Sequence, residues 1–455
     1  MTTPLGYTVT HCYDGVDISD REFQHILDLA SWKQMPRFSV RGRSAWHILR
    51  EGVALKSVPD RRFAAAKLKG VGVWNPEAGA RNRDSLMVPM SDIPSPPTTI
   101  PLESFATYPH FGLTREGEYS IVFGKVAPVG GILHERAALE YDNAKRLTEA
   151  GVTSIVPMAV IEYDESYRFD GKPMGASISL SHGSAPYRLS ELQYGAVTRL
   201  GQDPDKDAYC ERVLRALDVD GELSCEITRL RAIRILSRQI GGLMHDFTAA
   251  GLYRYSPEWT NLEFDFDSAQ AVLTDLDSTR PMAELDPHMR TLHALRDLAS
   301  LLYRTLAKFS TPSALGHYSL ANLLKYDPLA EVLQGYFPGA DVGRVRTISS
   351  RLWNAGIPYL FLLTKYREQI RTDWDQARRR SYKMDHDLFY VLAISSVFEL
   401  FQGSDIMAQY PSDLTRDALS EKARRYLGER FEYFLYLLEF GGSVSAYQQL
   451  QALGG

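Results

Sequence analysis

Cysteine is nearly absent from the 455 residues. Cys12, Cys210 and Cys225 are odd in number and far apart. That excludes a disulfide framework and a thiolate zinc site. Long apolar runs are missing too. The most apolar stretches, Gly356–Thr364 and Phe431–Phe440, fall far short of the roughly 18–20 residues a spanning helix needs. The N-terminus, MTTPLGYTVTHCYDG, has no basic segment followed by an apolar run, so no secretory signal is read. A soluble protein of the reducing cytoplasm, with no membrane partner, is expected. Positive charge is not in excess either: 51 Lys and Arg face 56 Asp and Glu, a net charge of −5. General nucleic-acid binding is therefore not expected. What remains is ordinary globular composition, 44% hydrophobic and 24% charged, with ample material for a core. At roughly 100–200 residues per domain, the length suggests two to four structural units.

The pattern changes along the chain. Ala45–Leu49, Phe63–Trp74 and Tyr119–Val126 read as strands. Asn75–Pro101 is rich in Pro, Ser and Asn and reads as a loop. In FGLTREGEYSIVFGKV, Phe111–Val126, an EG dipeptide between two apolar runs predicts a hairpin. Ile132–Ala150 has helical spacing, with Gly151 as its stop. Ile155–Tyr163 and Gly175–Leu180 are strand-like again. A short helix is expected at Tyr209–Leu217 and a long one from Glu226 to Phe247. Gly251–Leu262 is irregular, Ala271–Leu276 is a short strand, and from Pro287 onward the chain reads as helices. Strands before helices make an α+β pattern. The expected division is an extension over 1–40, a β-rich nucleotide-binding lobe over 41–190 and a helical lobe over 191–455.

The residues able to carry chemistry gather in GLYRYSPEWTNLEFDFDSAQAVLTDLD, 251–277. A long helix, a glycine, an irregular loop, Asn261, a short apolar strand and Asp275 follow in order. Protein kinases use such an arrangement, with Asn in the catalytic loop and Asp after the next strand. Two oxygen-bearing side chains are needed to hold Mg²⁺ against the phosphates of ATP. Asp277, two residues on, is close enough to be the ligand instead. Upstream, Lys69 ends a strand-like run and Glu140 lies mid-helix. In kinase folds a strand lysine holds the phosphates and a helix glutamate fixes it. Lys67 and Lys125 compete for the lysine role, since EYSIVFGKV could itself be the lysine-bearing strand. The general-base Asp of kinases lies five residues before the Asn. Here that position is Ser256, and Glu258 is the only carboxylate in 251–262. Asp297, in LRDLASLLY, is expected to anchor the loop from a core helix.

These residues resemble the selenoprotein O family of kinase-fold pseudokinases. The resemblance runs through Leu68-Lys69-Gly70-Val71-Gly72 and through Glu140-Tyr141 followed by Gly151-Val152-Thr153-Ser154. It covers roughly Phe63–Asp277. It implies a two-lobed protein-kinase-like fold with an enlarged helical C-lobe. It further implies ATP and magnesium as cofactors, a flipped nucleotide, and AMP passed to protein hydroxyls. On that reading Lys69, Glu140, Gly70 and Gly72 form the nucleotide site, and Asn261, Asp275 and Asp277 hold the metal. Glu258 and Ser256 are the catalytic candidates, with Glu258 the base if phosphate is transferred and a spectator or ligand-orienting group if AMP is. Where the family has Asp immediately before the loop Asn, this chain has Thr260. Phosphate transfer to a small molecule or peptide, and an inactive scaffold, are the competing readings. The acceptor is not legible.

Overall fold

The computed structural model describes residues 4–37, 44–72, 107–125, 130–183, 187–192, 204–254, 257–309, 318–365, 376–409 and 411–440. Asn75–Pro101 and Ser256 lie outside them. From the N-terminus, β1 (Tyr7–Cys12), β2 (Val16–Asp17) and helix α1 (Asp20–Ala30) precede the long hairpin of β3 (Ser44–Leu55) and β4 (Val58–Lys69). A second hairpin, β5 (Thr107–Leu113) and β6 (Tyr119–Lys125), follows. Then come β7 (Ile132–Leu133), helix α2 (His134–Glu149), β8 (Val156–Tyr163), β9 (Arg168–Phe169) and β10 (Lys172–Ser181).

Among the described residues these strands build one antiparallel sheet in the order β1-β8-β10-β4-β3-β2, with β7 and β9 also paired to β10. The central strands β8 and β10 are buried almost throughout: β8 is accordingly apolar along most of its length, while β10 alternates Ala176, Ile178 and Leu180 with buried Ser177, Ser179 and Ser181. In β4 the period-two alternation sends Ala66 and Leu68 into the sheet's core. Lys67 and Lys69 share the opposite face. α2 lies against β8 and β10, with Ala137 and Tyr141 packed on Ile132 and Val160. Gly151, at φ +74°, ends it as the sequence predicts.

The remainder is mainly helical. α3 (Pro204–Ala216) and α4 (Glu226–Ala249) lead to short strands β11 (Leu252–Tyr253), β12 (Leu262–Asp265), β13 (Gln270–Leu273) and β14 (Arg280–Pro281). Helices α5 (Pro287–Phe309), α6 (Leu320–Tyr326), α7 (Pro328–Tyr336), α8 (Val342–Lys365), α9 (Gln376–Gln402), α10 (Asp405–Gln409), α11 (Arg416–Leu427) and α12 (Phe431–Phe440) complete it. The protein is thus α+β, with one apolar core under the sheet and a larger one among the helices. Among the described residues no helix is long and apolar enough to cross a membrane.

Two boundaries differ from the sequence reading. Within the segment expected as an extension over 1–40, the described residues 4–37 pack into the sheet: Leu5, Val16, Ile26 and Trp32 are buried in its core beside Phe63 and Leu68. α1 opens on Ser19, whose side chain accepts from the Glu22 amide, a cap that fixes its start. The β5–β6 hairpin forms as predicted but sits with the helices rather than in the sheet. Phe111 stacks on Tyr390 of α9 at 5.0 Å, and Lys422 of α11 pairs with Glu118 at 2.9 Å. Burying Phe111 and Tyr119 there joins them to the helical core.

Candidate active site

Lys69 ends β4 and points between the sheet and the β12–β13 hairpin. Its Nζ lies 2.9 Å from Glu140 Oε2 and 3.4 Å from Asp277 Oδ1, and it donates to Asp275 Oδ1. Glu140, in the middle of α2, is 1% exposed. Arg136, one turn earlier on α2, reaches Asp277 Oδ2 at 3.1 Å. Burial works against the charge on Lys69. Asp275, Asp277 and Glu140 outweigh it and hold the ammonium pKa above the usual lysine value. Burial also pushes the Glu140 carboxyl up, against the pull of Lys69 and Lys67. The 2.9 Å ion pair with Lys69 opposes that upward shift.

α2 is tied to the acidic segment by more than charge. Asn143 Nδ2 donates to the carbonyls of Leu276 and Thr279, both at 3.0 Å. Asp275 adopts φ +65°, a left-handed conformation uncommon outside glycine and enriched for Asp. Holding it there stores strain at the residue that turns its carboxylate toward Lys69. Asn261 closes the 3₁₀ turn Trp259–Asn261, and its carbonyl accepts from the Thr274 amide at 3.1 Å. This backbone bond sets Asn261 beside the residue before Asp275.

Glu258 is engaged. Its Oε1 pairs with Arg304 of α5 at 2.9 Å, and its Oε2 accepts from Thr260 Oγ1 at 3.3 Å. Gly70, at φ +96°, is required by packing: a Cβ there would come within 2.5 Å of the Gly175 carbonyl and 2.4 Å of Ile132. Its place is against β10 and β7, so its glycine character is explained without a ligand. Gly72 is buried just beyond it. Asp297 is buried on α5, which packs against β11 at the entrance to the loop, where Tyr253 lies 4.3 Å from the His293 ring. Burial drives the His293 pKa down to about 3, so that ring stays neutral.

The structure therefore brings Lys69, Glu140, Asp275 and Asp277 into one cluster, with Asn261 alongside. Ser256 lies outside the described residues. Lys125 ends a strand of the hairpin docked on α9 and α11, while Glu140 pairs with Lys69. The sequence reading missed Arg136, Arg304 and Thr274. Arg136 was within reach, since residues four apart share a helix face with Glu140. Arg304 was not, because its partner comes from another element.

Asp275, Asp277 and Asn261 supply oxygen donors of the kind a hard divalent cation takes. Among the described residues no group of three or more His, Cys, Asp or Glu side chains is arranged to hold a metal by itself. A cation here would need oxygens from a ligand and water as well, which is how magnesium is usually bound.

No protein-family model matches the chain. No curated protein matches it. Among solved structures, one of WaaP in complex with acyl carrier protein is similar at 15% identity over 60% of this chain and 88% of that chain, with a TM-score of 0.28. At that score the overlap carries no weight for this chain.

Proposed function

We propose that the protein is a two-lobed, kinase-like transferase of the cytoplasm that binds ATP with magnesium around Lys69 and transfers AMP to a protein hydroxyl. The observation that carries this reading is the Lys69 ammonium held by buried Glu140 and facing Asp275. An ammonium fixed from behind and bridged in front by an exposed carboxylate is prepared for exchange. A phosphate oxygen can replace Asp275 at Lys69 while Glu140 keeps the lysine in place. Asp275, released, would then be available to hold a cation together with Asn261, while Asp277 stays paired with Arg136. Magnesium, when bound, would neutralise charge on the phosphates. The sheet and the resemblance to selenoprotein O proteins supply the two-lobed description.

The choice of AMP over phosphate rests on Glu258. Either transfer takes a proton from the acceptor hydroxyl, with ADP leaving in phosphate transfer and pyrophosphate in AMP transfer. In the usual kinase pose that proton goes to a loop carboxylate, which here would have to be Glu258. Both Glu258 oxygens are engaged, by Arg304 and Thr260, and the usual position is Ser256. The second reading, phosphate transfer to a small molecule or peptide, requires Arg304 to release Glu258. An inactive scaffold would bind nucleotide without turnover. ATP labelled at the α-phosphate or at the γ-phosphate separates them. AMP transfer leaves α label on an acceptor protein in a lysate. Phosphate transfer leaves γ label, and a scaffold leaves neither. Retained γ label alone would overturn the proposal.

A further inference from the structure

Lys67 stands two residues before Lys69 on the same face of β4, and it is more deeply buried, at 5% exposure. Lys69 meets three carboxylates. Lys67 Nζ donates to Thr274 Oγ1 at 3.1 Å, and among the described residues no carboxylate lies within the 4 Å of an ion pair. An ammonium has three protons to donate. Leaving a buried one without a counter-ion is costly, so such a group either sheds its proton or awaits an anion.

The surroundings do not supply that anion. Lys69 follows on the same strand, and its carboxylates Glu140 of α2 and Asp275 after β13 are committed to it. Arg188, in the linker after β10, adds positive charge near Lys67. Glu263 of β12 is taken by Arg188 and by Ser181. The wall around Lys67 is therefore polar and charged, with acceptors already in use.

We propose that Lys67 is a second anion-binding residue of the cleft, whose counter-ion is a phosphate oxygen of the ligand and whose engagement draws a proton into the site. This rests on the nucleotide reading given above. Same-face residues two apart on a strand stand roughly 6.5–7 Å apart. A ligand must therefore carry negative charge over such a span, which fits a di- or triphosphate better than a monoester. The proton comes from solvent, and no bond of the ligand breaks. Burial and then Arg188 bring the Lys67 pKa down to about 7, against the opposing pull of Glu140. A phosphate placed beside Nζ raises it again. Proton uptake follows from about pH 7 upward, and affinity falls as pH rises through that window.

The test is calorimetric titration of the full chain with inorganic tripolyphosphate and with ATP, both with magnesium, at pH 7.5, in buffers of different ionisation enthalpy. Wild type should show an observed enthalpy that depends on the buffer, with the sign of proton uptake. Lys67→Met keeps the apolar stem and should lose that dependence, with affinity for both probes about ten- to a hundredfold weaker. Lys67→Gln, melted alongside, guards against a packing fault in the methionine variant. Folded variants that match wild type in affinity and in buffer dependence would overturn the inference while leaving the nucleotide reading intact. Wild type that binds neither probe would overturn both.

Discussion

Glu140 depends on its ion pair. It is buried, and the cation paired with it is Lys69. Lys69→Met should therefore cost about 3–5 kcal/mol, because it leaves a buried carboxylate without its ion-pair partner. Adding Glu140→Gln should restore part of that loss. Urea denaturation of the two variants measures it, and a Lys69→Met protein as stable as wild type would speak against the ion pair. Glu258→Gln probes the proton acceptor. It should change AMP transfer little, whereas loss of a working base would slow turnover by about 10²–10⁴-fold in single-turnover assays. Lys69 and Glu140 were legible because strand lysine, helix glutamate, loop asparagine and post-strand aspartate stand in order. The difference between Lys67 and Lys69 was not. Alternation puts both on one face, and only the side chains each one meets tell them apart.

The short β12–β13 hairpin stitches the helical part to the end of the sheet through buried charge. His182, just after β10, lies 3.3 Å from Asp265 Oδ2. Burial opposes the Asp265 charge, but His182, the Ser268 hydroxyl and the Asp267 amide hold its pKa well below the usual carboxylate range. A carboxyl depressed on folding stabilises above its unfolded pKa, near 4, and loses that contribution as pH falls through the folded value. Asp265→Asn should destabilise by about 1–3 kcal/mol at pH 7, and the gap should narrow below pH 4. Equal gaps at pH 7 and pH 3 in urea titrations would contradict this. The helices were legible from their period, and α2 and α4 stand close to where the spacing puts them. α1 was overlooked although Ser19 and Glu22, followed by Phe23, Ile26 and Leu27, form a capping-box signal. β12 was not named because four residues in an irregular setting show no period.

The order of strands and then helices gave the α+β class, but not where each piece docks. β1 pairs with β8 across about 150 residues of sequence, and the β5–β6 hairpin docks on helices about 300 residues on. Such closures leave no local trace. Phe111 is the hairpin's anchor in the helical core, so Phe111→Ala should cost about 3–5 kcal/mol in a melting or urea experiment. A negligible change would mean the hairpin contributes little to the helical core. α2 joins the helical core through Ala144 and Leu147, while its Ala137 and Tyr141 pack with Ile132 and Val160 in a small separate cluster on the sheet. That placement carries Glu140 to the boundary where Lys69 meets Asp275. The most direct measurement is calorimetric titration of ATP into wild type and Asp275→Ala, each with magnesium and with chelator. The account predicts binding by wild type only with magnesium, and its loss in a folded Asp275→Ala protein. Binding that is indifferent both to the metal and to Asp275, or no binding by wild type, would contradict it.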